Sequence, residues 1–87
     1  MKRETATVQL KNGLEARPIA VLVQLASQFD SKVYLESEGK RVNAKSIMGM
    51  MSLGLVTGES VVIEADGKDE DAAVAKLESF LSGKEEN

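Results

Sequence analysis

Cysteine, histidine and tryptophan are all absent from this chain of 87 residues, and proline occurs once. Without cysteine there is no disulfide to staple a small fold and no thiolate nucleophile, which suits a reducing compartment. Without cysteine or histidine, zinc and other soft-metal sites lose their ordinary ligands, and neither a metal nor a cofactor is expected. Aromatic residues are only Phe29, Phe80 and Tyr34, so no stacking platform for single-stranded nucleic acid is available. The net charge of −3 and a pI of about 4.9 leave no basic footprint for direct nucleic-acid binding. No long hydrophobic run exists either. The longest, Ile19 to Leu25, is broken by Gln24 and is far too short to span a bilayer. Met1-Lys2-Arg3-Glu4-Thr5 has basic residues but no apolar segment behind them, so no signal peptide and a cytoplasmic location are expected.

What is present suits one small domain over residues 1–87 with one core. Apolar residues make up 43% and charged residues 29%, ordinary for a globular chain. The core must come from Val, Ile, Leu, Ala and Met. Residues 4–10 alternate, with Ala6, Val8 and Leu10 on one face, which predicts a half-buried strand. Lys11-Asn12-Gly13 reads as a turn. Pro18 suits a first helical turn, where its missing N–H costs nothing. Ile19, Leu22, Val23, Ala26 and Phe29 follow at helical spacing, up to a stop at Asp30-Ser31. Val33 and Leu35 mark a second strand, Ser37-Glu38-Gly39 a tight turn and Lys40-Arg41-Val42 a third strand, hence a hairpin.

A short helix after Ser46 ends near Gly54, a plausible C′ residue. Val61, Ile63 and Ala65 give a fourth strand. Asp69 is expected to cap a last helix whose core stripe is Ala73, Val74, Leu77, Phe80 and Leu81. Residues 82–87 are expected to be a frayed polar tail. The predicted order is β-α-β-β-α-β-α. The fold class is therefore α+β, an antiparallel four-stranded sheet with three helices on one face.

The densest signal is Lys45-Ser46-Ile47-Met48-Gly49-Met50-Met51-Ser52-Leu53-Gly54. Ser46 is a favoured N-cap, since its hydroxyl can accept from a backbone N–H two or three residues on. A hydroxyl at the mouth of a helix also stands where a phosphate is well placed. A helix this short is unstable alone. Its apolar side chains must be buried or presented to a partner. Ile47, Met48 and Met51, at i, i+1 and i+4, can share one side, and methionine suits adaptable contact surfaces. Leu14, Ala20, Val23 and Gln24 could adjoin them on the first helix, with ordinary core packing the alternative, above all for Val23.

Two motifs, Gly13-Leu14-Glu15-Ala16-Arg17-Pro18 and Asn43-Ala44-Lys45-Ser46-Ile47-Met48-Gly49, sit at a separation that resembles HPr, the phosphocarrier family of the bacterial sugar phosphotransferase system. The resemblance runs from Thr5 to about Leu81 and implies the open-faced β-sandwich of that family. The family's active-site histidine lies between the Leu and Ala of the first motif, where this chain has Glu15. It resembles members that have lost the carrying residue and kept a regulatory serine.

The resemblance implies phosphorylation of Ser46 by the bifunctional HPr kinase/phosphorylase. It further implies docking of the phosphorylated form on a LacI/GalR-type catabolite control protein, as corepressor. Ile47, Met48, Met51, Leu14, Ala20, Val23, Gln24 and Arg17 would make the contact. No catalytic residue, and hence no enzyme, is expected. Glu15 reads either as a solvated carboxylate at a helix start or as a weak mimic of a phosphohistidine's charge, bringing about one negative charge where a phosphoryl group brings ~2. The competing readings are a phosphocarrier with an altered active site, in which Glu15 would form an acyl phosphate, and an unrelated RNA-binding module, which the acidic pI opposes. Oligomeric state stays open, because strand exchange through a short turn is a known route to dimers.

Overall fold

The computed structural model describes residues 1–10 and 16–83; for Ala16 and Arg17 the backbone alone is described. Leu14, Glu15, the Lys11-Asn12-Gly13 turn and tail residues 84–87 lie outside the described residues. The elements are β1 (Lys2–Thr7), α1 (Ala16–Ser27), β2 (Lys32–Ser37), β3 (Lys40–Asn43), α2 (Ile47–Leu53), β4 (Ser60–Asp66) and α3 (Glu70–Leu81). The strands form one antiparallel sheet in the order β1-β4-β2-β3, with the three helices packed on one face. Among the described residues no helix is long and apolar enough to cross a membrane.

Alternation places Ala6, Val33, Leu35, Val42, Val61, Ile63 and Ala65 on the helix-covered face, where all are buried. The register agrees: Leu35 stands opposite both Val42 and Ile63, and Val33 opposite Ala65. From the helices come Ile19, Leu22, Leu25 and Ala26, then Met50, then the α3 stripe read from the sequence, Ala73, Val74, Leu77, Phe80 and Leu81. The β2–β3 hairpin closes through two residues of positive φ, Glu38 (52°) and Gly39 (79°). This is the turn geometry whose twist matches that of the flanking strands.

Three expectations need correction. β1 spans residues 2–7, not 4–10, because its ladder stops where β4 begins, at the pair Thr7–Ser60. Beyond it the Val8 N–H donates to the Glu59 carbonyl and the Gln9 N–H to the Leu81 carbonyl, so the alternating pattern continues on different partners. α1 ends at Ser27, earlier than its apolar spacing suggests, with i→i−3 bonds from Gln28 and Phe29 closing it. Phe29 still packs against the core from outside the helix. Asp69 precedes α3 but makes no side-chain cap bond. Its carboxylate instead accepts from the backbone N–H of Asp30 (2.8 Å), the backbone N–H of Ser31 (3.0 Å) and the Ser31 hydroxyl. Asp69 thus ties the start of α3 to the entry of β2. At the other end of α3, Ser82 and Gly83 are bonded back to its last turn through Glu78 and Phe80.

The Ser31 hydroxyl and the Asp30 and Ser31 N–H groups hold the Asp69 carboxyl below its ordinary range. A depressed carboxylate contributes stability that is fully present above its unfolded pKa, about 3.9, and is lost as pH falls through the lower folded value. Asp69→Asn is therefore expected to lower the urea midpoint at neutral pH and to flatten its fall below about pH 4. Midpoints of both proteins across the acid range check this, and parallel curves would refute it.

The uncovered face of the sheet carries an ion cluster. Glu64 lies there, yet it is only 5% exposed. It accepts from Arg41 at 2.8 Å and from Arg3 at 3.5 Å, while Arg3 also lies 3.8 Å from Glu36. The Arg41 guanidinium sits 4.0 Å over the Tyr34 ring. Planar guanidinium groups both pair with the carboxylate and cover it, so its burial leaves no unpartnered charge.

Candidate functional site

Ser46 stands at the N-cap of α2 in extended conformation (φ −113°, ψ 118°), and its hydroxyl accepts from the Gly49 N–H at 3.1 Å. Three bonds fix the approach to it. The Asn43 side chain accepts from the Lys45 N–H at 2.8 Å, the Asn43 carbonyl accepts from the Ser46 N–H at 3.1 Å, and the Lys45 ammonium donates to the Phe29 carbonyl at 2.8 Å. At the other end of α2, Gly54 takes the left-handed conformation (φ 65°) that glycine adopts without steric cost. The Lys40 ammonium bonds the Ser52 carbonyl at 2.7 Å, a cation at the negative end of the helix. The short helix is thus held at both ends, and Ser46 is half-buried with its side chain on the rim.

The helix divides its apolar residues sharply. Met50 is fully buried and anchors α2 to the core, with Leu53 partly buried beside it. Ile47, Met48 and Met51 are exposed, Met48 to 82%. These three occupy an arc of about 100° at ~100° per residue, so they form one patch immediately after Ser46. Singly exposed apolar residues are commonplace, but a contiguous apolar patch on a small protein marks an interaction surface.

α1 packs against α2. On it Ala20 and Val23 are half-buried and Gln24 is exposed, and Val23 is packed in part against the core. Arg17 lies in the first turn of the same helix. Sequence reasoning passed over Val56, an exposed apolar residue in the loop after α2. It is a single residue outside any periodic pattern, so no signal singled it out. The Glu64 cluster was equally invisible, because its partners come from β1 and β3, far apart in the chain. Among the described residues no group of acidic side chains is arranged to hold a metal ion.

The topology, the capped serine and the apolar patch define an HPr-type protein, and the family described as "PTS HPr component phosphorylation site" matches residues 2–83. The chain belongs to the HPr family. It is 51% identical to the HPr-like protein Crh of Bacillus subtilis over 81 residues, covering 93% of this chain and 95% of that protein. Among solved structures, HPr-C-His from Thermoanaerobacter tengcongensis superposes with a TM-score of 0.92 at 46% identity, with both chains fully covered. The crystal structure of Bacillus subtilis Crh, described as a swapped dimer, gives a TM-score of 0.80 at 47% identity over the whole of both chains. In the present structure β1 pairs with β4 of its own chain.

Proposed function

We propose that this protein is a regulatory member of the HPr family, neither a phosphohistidine carrier nor an enzyme. In this reading HPr kinase/phosphorylase phosphorylates Ser46 in the cytoplasm. The phosphorylated form then binds a catabolite control protein of the LacI/GalR type and acts as its corepressor. The observation that carries the reading is the placement of Ser46, a fixed and partly accessible hydroxyl directly before the exposed Ile47, Met48 and Met51. The similarity to Crh, a protein described with catabolite repression, and the absence of histidine point the same way.

Phosphorylation would add ~1.5–2 negative charges beside the apolar patch without refolding the domain. On the partner, a basic group would meet the phosphate through charge-assisted hydrogen bonds, and an apolar recess would take the three side chains. Ala20, Val23, Gln24, Leu14 and Arg17 would border that contact from the first helix and its approach.

The test is incubation with HPr kinase/phosphorylase and, separately, with the phosphotransferase enzyme that charges HPr. Acid-stable phosphate at Ser46 supports the reading. An acid-labile or hydroxylamine-labile product on the unmodified sequence would instead support a carrier using Glu15. Glu15→His is expected to gain acceptor activity toward the charging enzyme, because Arg17 and the start of α1 already follow that position. Labelled phosphate transfer measures this, and an inert variant would count against the assignment of Glu15 to the family's histidine position.

A further inference from the structure

Five of the six described glycines, Gly39, Gly54, Gly58, Gly67 and Gly83, have positive φ, which accounts for glycine there. Gly49 does not. It sits inside α2 with ordinary helical backbone, where glycine is the poorest helix former apart from proline. Nor does space demand it. A Cβ at Gly49 would make only ordinary contacts, 3.5 Å from the Ser46 hydroxyl oxygen, 3.5 Å from the Val42 Cβ and 3.6 Å from the Asn43 carbonyl oxygen. Alanine would fit and would strengthen the helix. A local choice that weakens an element without a folding reason points to function. The atom that a Cβ here would cover is the Ser46 oxygen itself.

We propose that Gly49 is a positioning residue for modification of Ser46, keeping open the side of the hydroxyl that faces Val42 and Asn43. This rests on the reading of Ser46 as the phosphoacceptor. In the modification the Ser46 oxygen bonds to the terminal phosphorus of a nucleoside triphosphate. The bond to the leaving diphosphate breaks, and the hydroxyl proton passes to a base on the kinase. The oxygen must leave its hydrogen bond to the Gly49 N–H, at 3.1 Å, and turn to meet the donor. A methyl group on the neighbouring Cα narrows the space in which it turns and in which the new phosphoryl oxygens must settle. Gly49 leaves that space free at the expense of helix strength.

The experiment compares the unmodified sequence, Gly49→Ala and Ser52→Ala, each full length, for phosphorylation rate with HPr kinase/phosphorylase and for melting midpoint. Ser52→Ala strengthens the same helix away from the hydroxyl and controls for rigidity alone. The expected result is a midpoint raised by about 2–6 °C in Gly49→Ala. Its phosphorylation should be at least tenfold slower, while Ser52→Ala keeps the original rate. Equal rates for the original sequence and Gly49→Ala overturn the proposal. Equal slowing by Ser52→Ala also overturns it, since helix rigidity would then be the cause. So does a lowered midpoint in Gly49→Ala, since glycine would then serve the fold. Failure of the original sequence to be phosphorylated at Ser46 strikes the functional reading itself, and is thereby distinguished from failure of the Gly49 role.

Discussion

Ser46→Ala is expected to abolish both kinase-dependent phosphorylation and the partner binding that depends on it, while leaving a folded protein about 1 kcal/mol less stable through the lost cap. The two effects have separate physical origins. The stability change comes from the Gly49 N–H, which loses its acceptor at 3.1 Å. The functional change comes from the missing acceptor oxygen. Mass spectrometry of the kinase product and a binding titration with the catabolite control protein, before and after kinase treatment, check the first effect. A urea denaturation curve checks the second. Phosphate found at Ser52 or Ser31 would overturn the assignment. Ser31 is a poor competitor on structural grounds, being buried with its hydroxyl committed to Asp69.

The second large effect is a contrast between two methionines two residues apart. Met48→Asp is expected to eliminate binding of the Ser46-phosphorylated protein to its partner, because it sets an unpaired charge in an apolar contact. Its own denaturation midpoint should stay within about 0.5 kcal/mol of the original, as for other exposed substitutions. Met50→Asp should leave no folded protein. The side chain is fully buried, and a carboxylate there would have neither water nor a partner. Met50→Ala should cost about 2–5 kcal/mol through lost burial and the cavity left behind, a large part of a small domain's stability. Circular dichroism melts of all three variants, with a binding titration for Met48→Asp, decide the matter. If Met48→Asp unfolds the domain, the docking patch has to be redrawn around Ile47 and Met51.

Much of the architecture was legible in the chain because local chemistry dictates it. Strict alternation in Val61, Ile63 and Ala65 specifies a strand with one buried face. Ser46 and Gly54 bracket α2 at the residues where the helix begins and ends, since a hydroxyl acceptor and a left-handed residue are what its two ends require. The α3 stripe is buried residue for residue. The site was legible as a motif: Ser46 with Ile47, Met48 and Met51, and Glu15 in place of a histidine.

Local pattern failed wherever the partner lies far away in the sequence. Asp69 looked like a helix cap, and by propensity it is one. Only the packing of α3 beside the turn into β2 offers it three better donors from Asp30 and Ser31. Glu64 looked like a solvent-facing strand residue. It is buried because strand order places Arg3 on one side of β4 and brings Arg41 over the other. β1 ends where its partner strand ends, which no alternation within β1 can announce.

α2 draws the division most clearly. Its sequence is apolar nearly all round, so periodicity establishes that some face is buried without saying which. The choice of Met50 over Met48 comes from how the helix lies against β3 and α1. By itself the sequence determined the elements, the capped serine and the loss of the family's histidine, because each depends on residues within a few positions of one another. The tertiary structure alone decided which methionine anchors the helix and which is left for a partner, because a side chain's burial depends on what the fold brings against it.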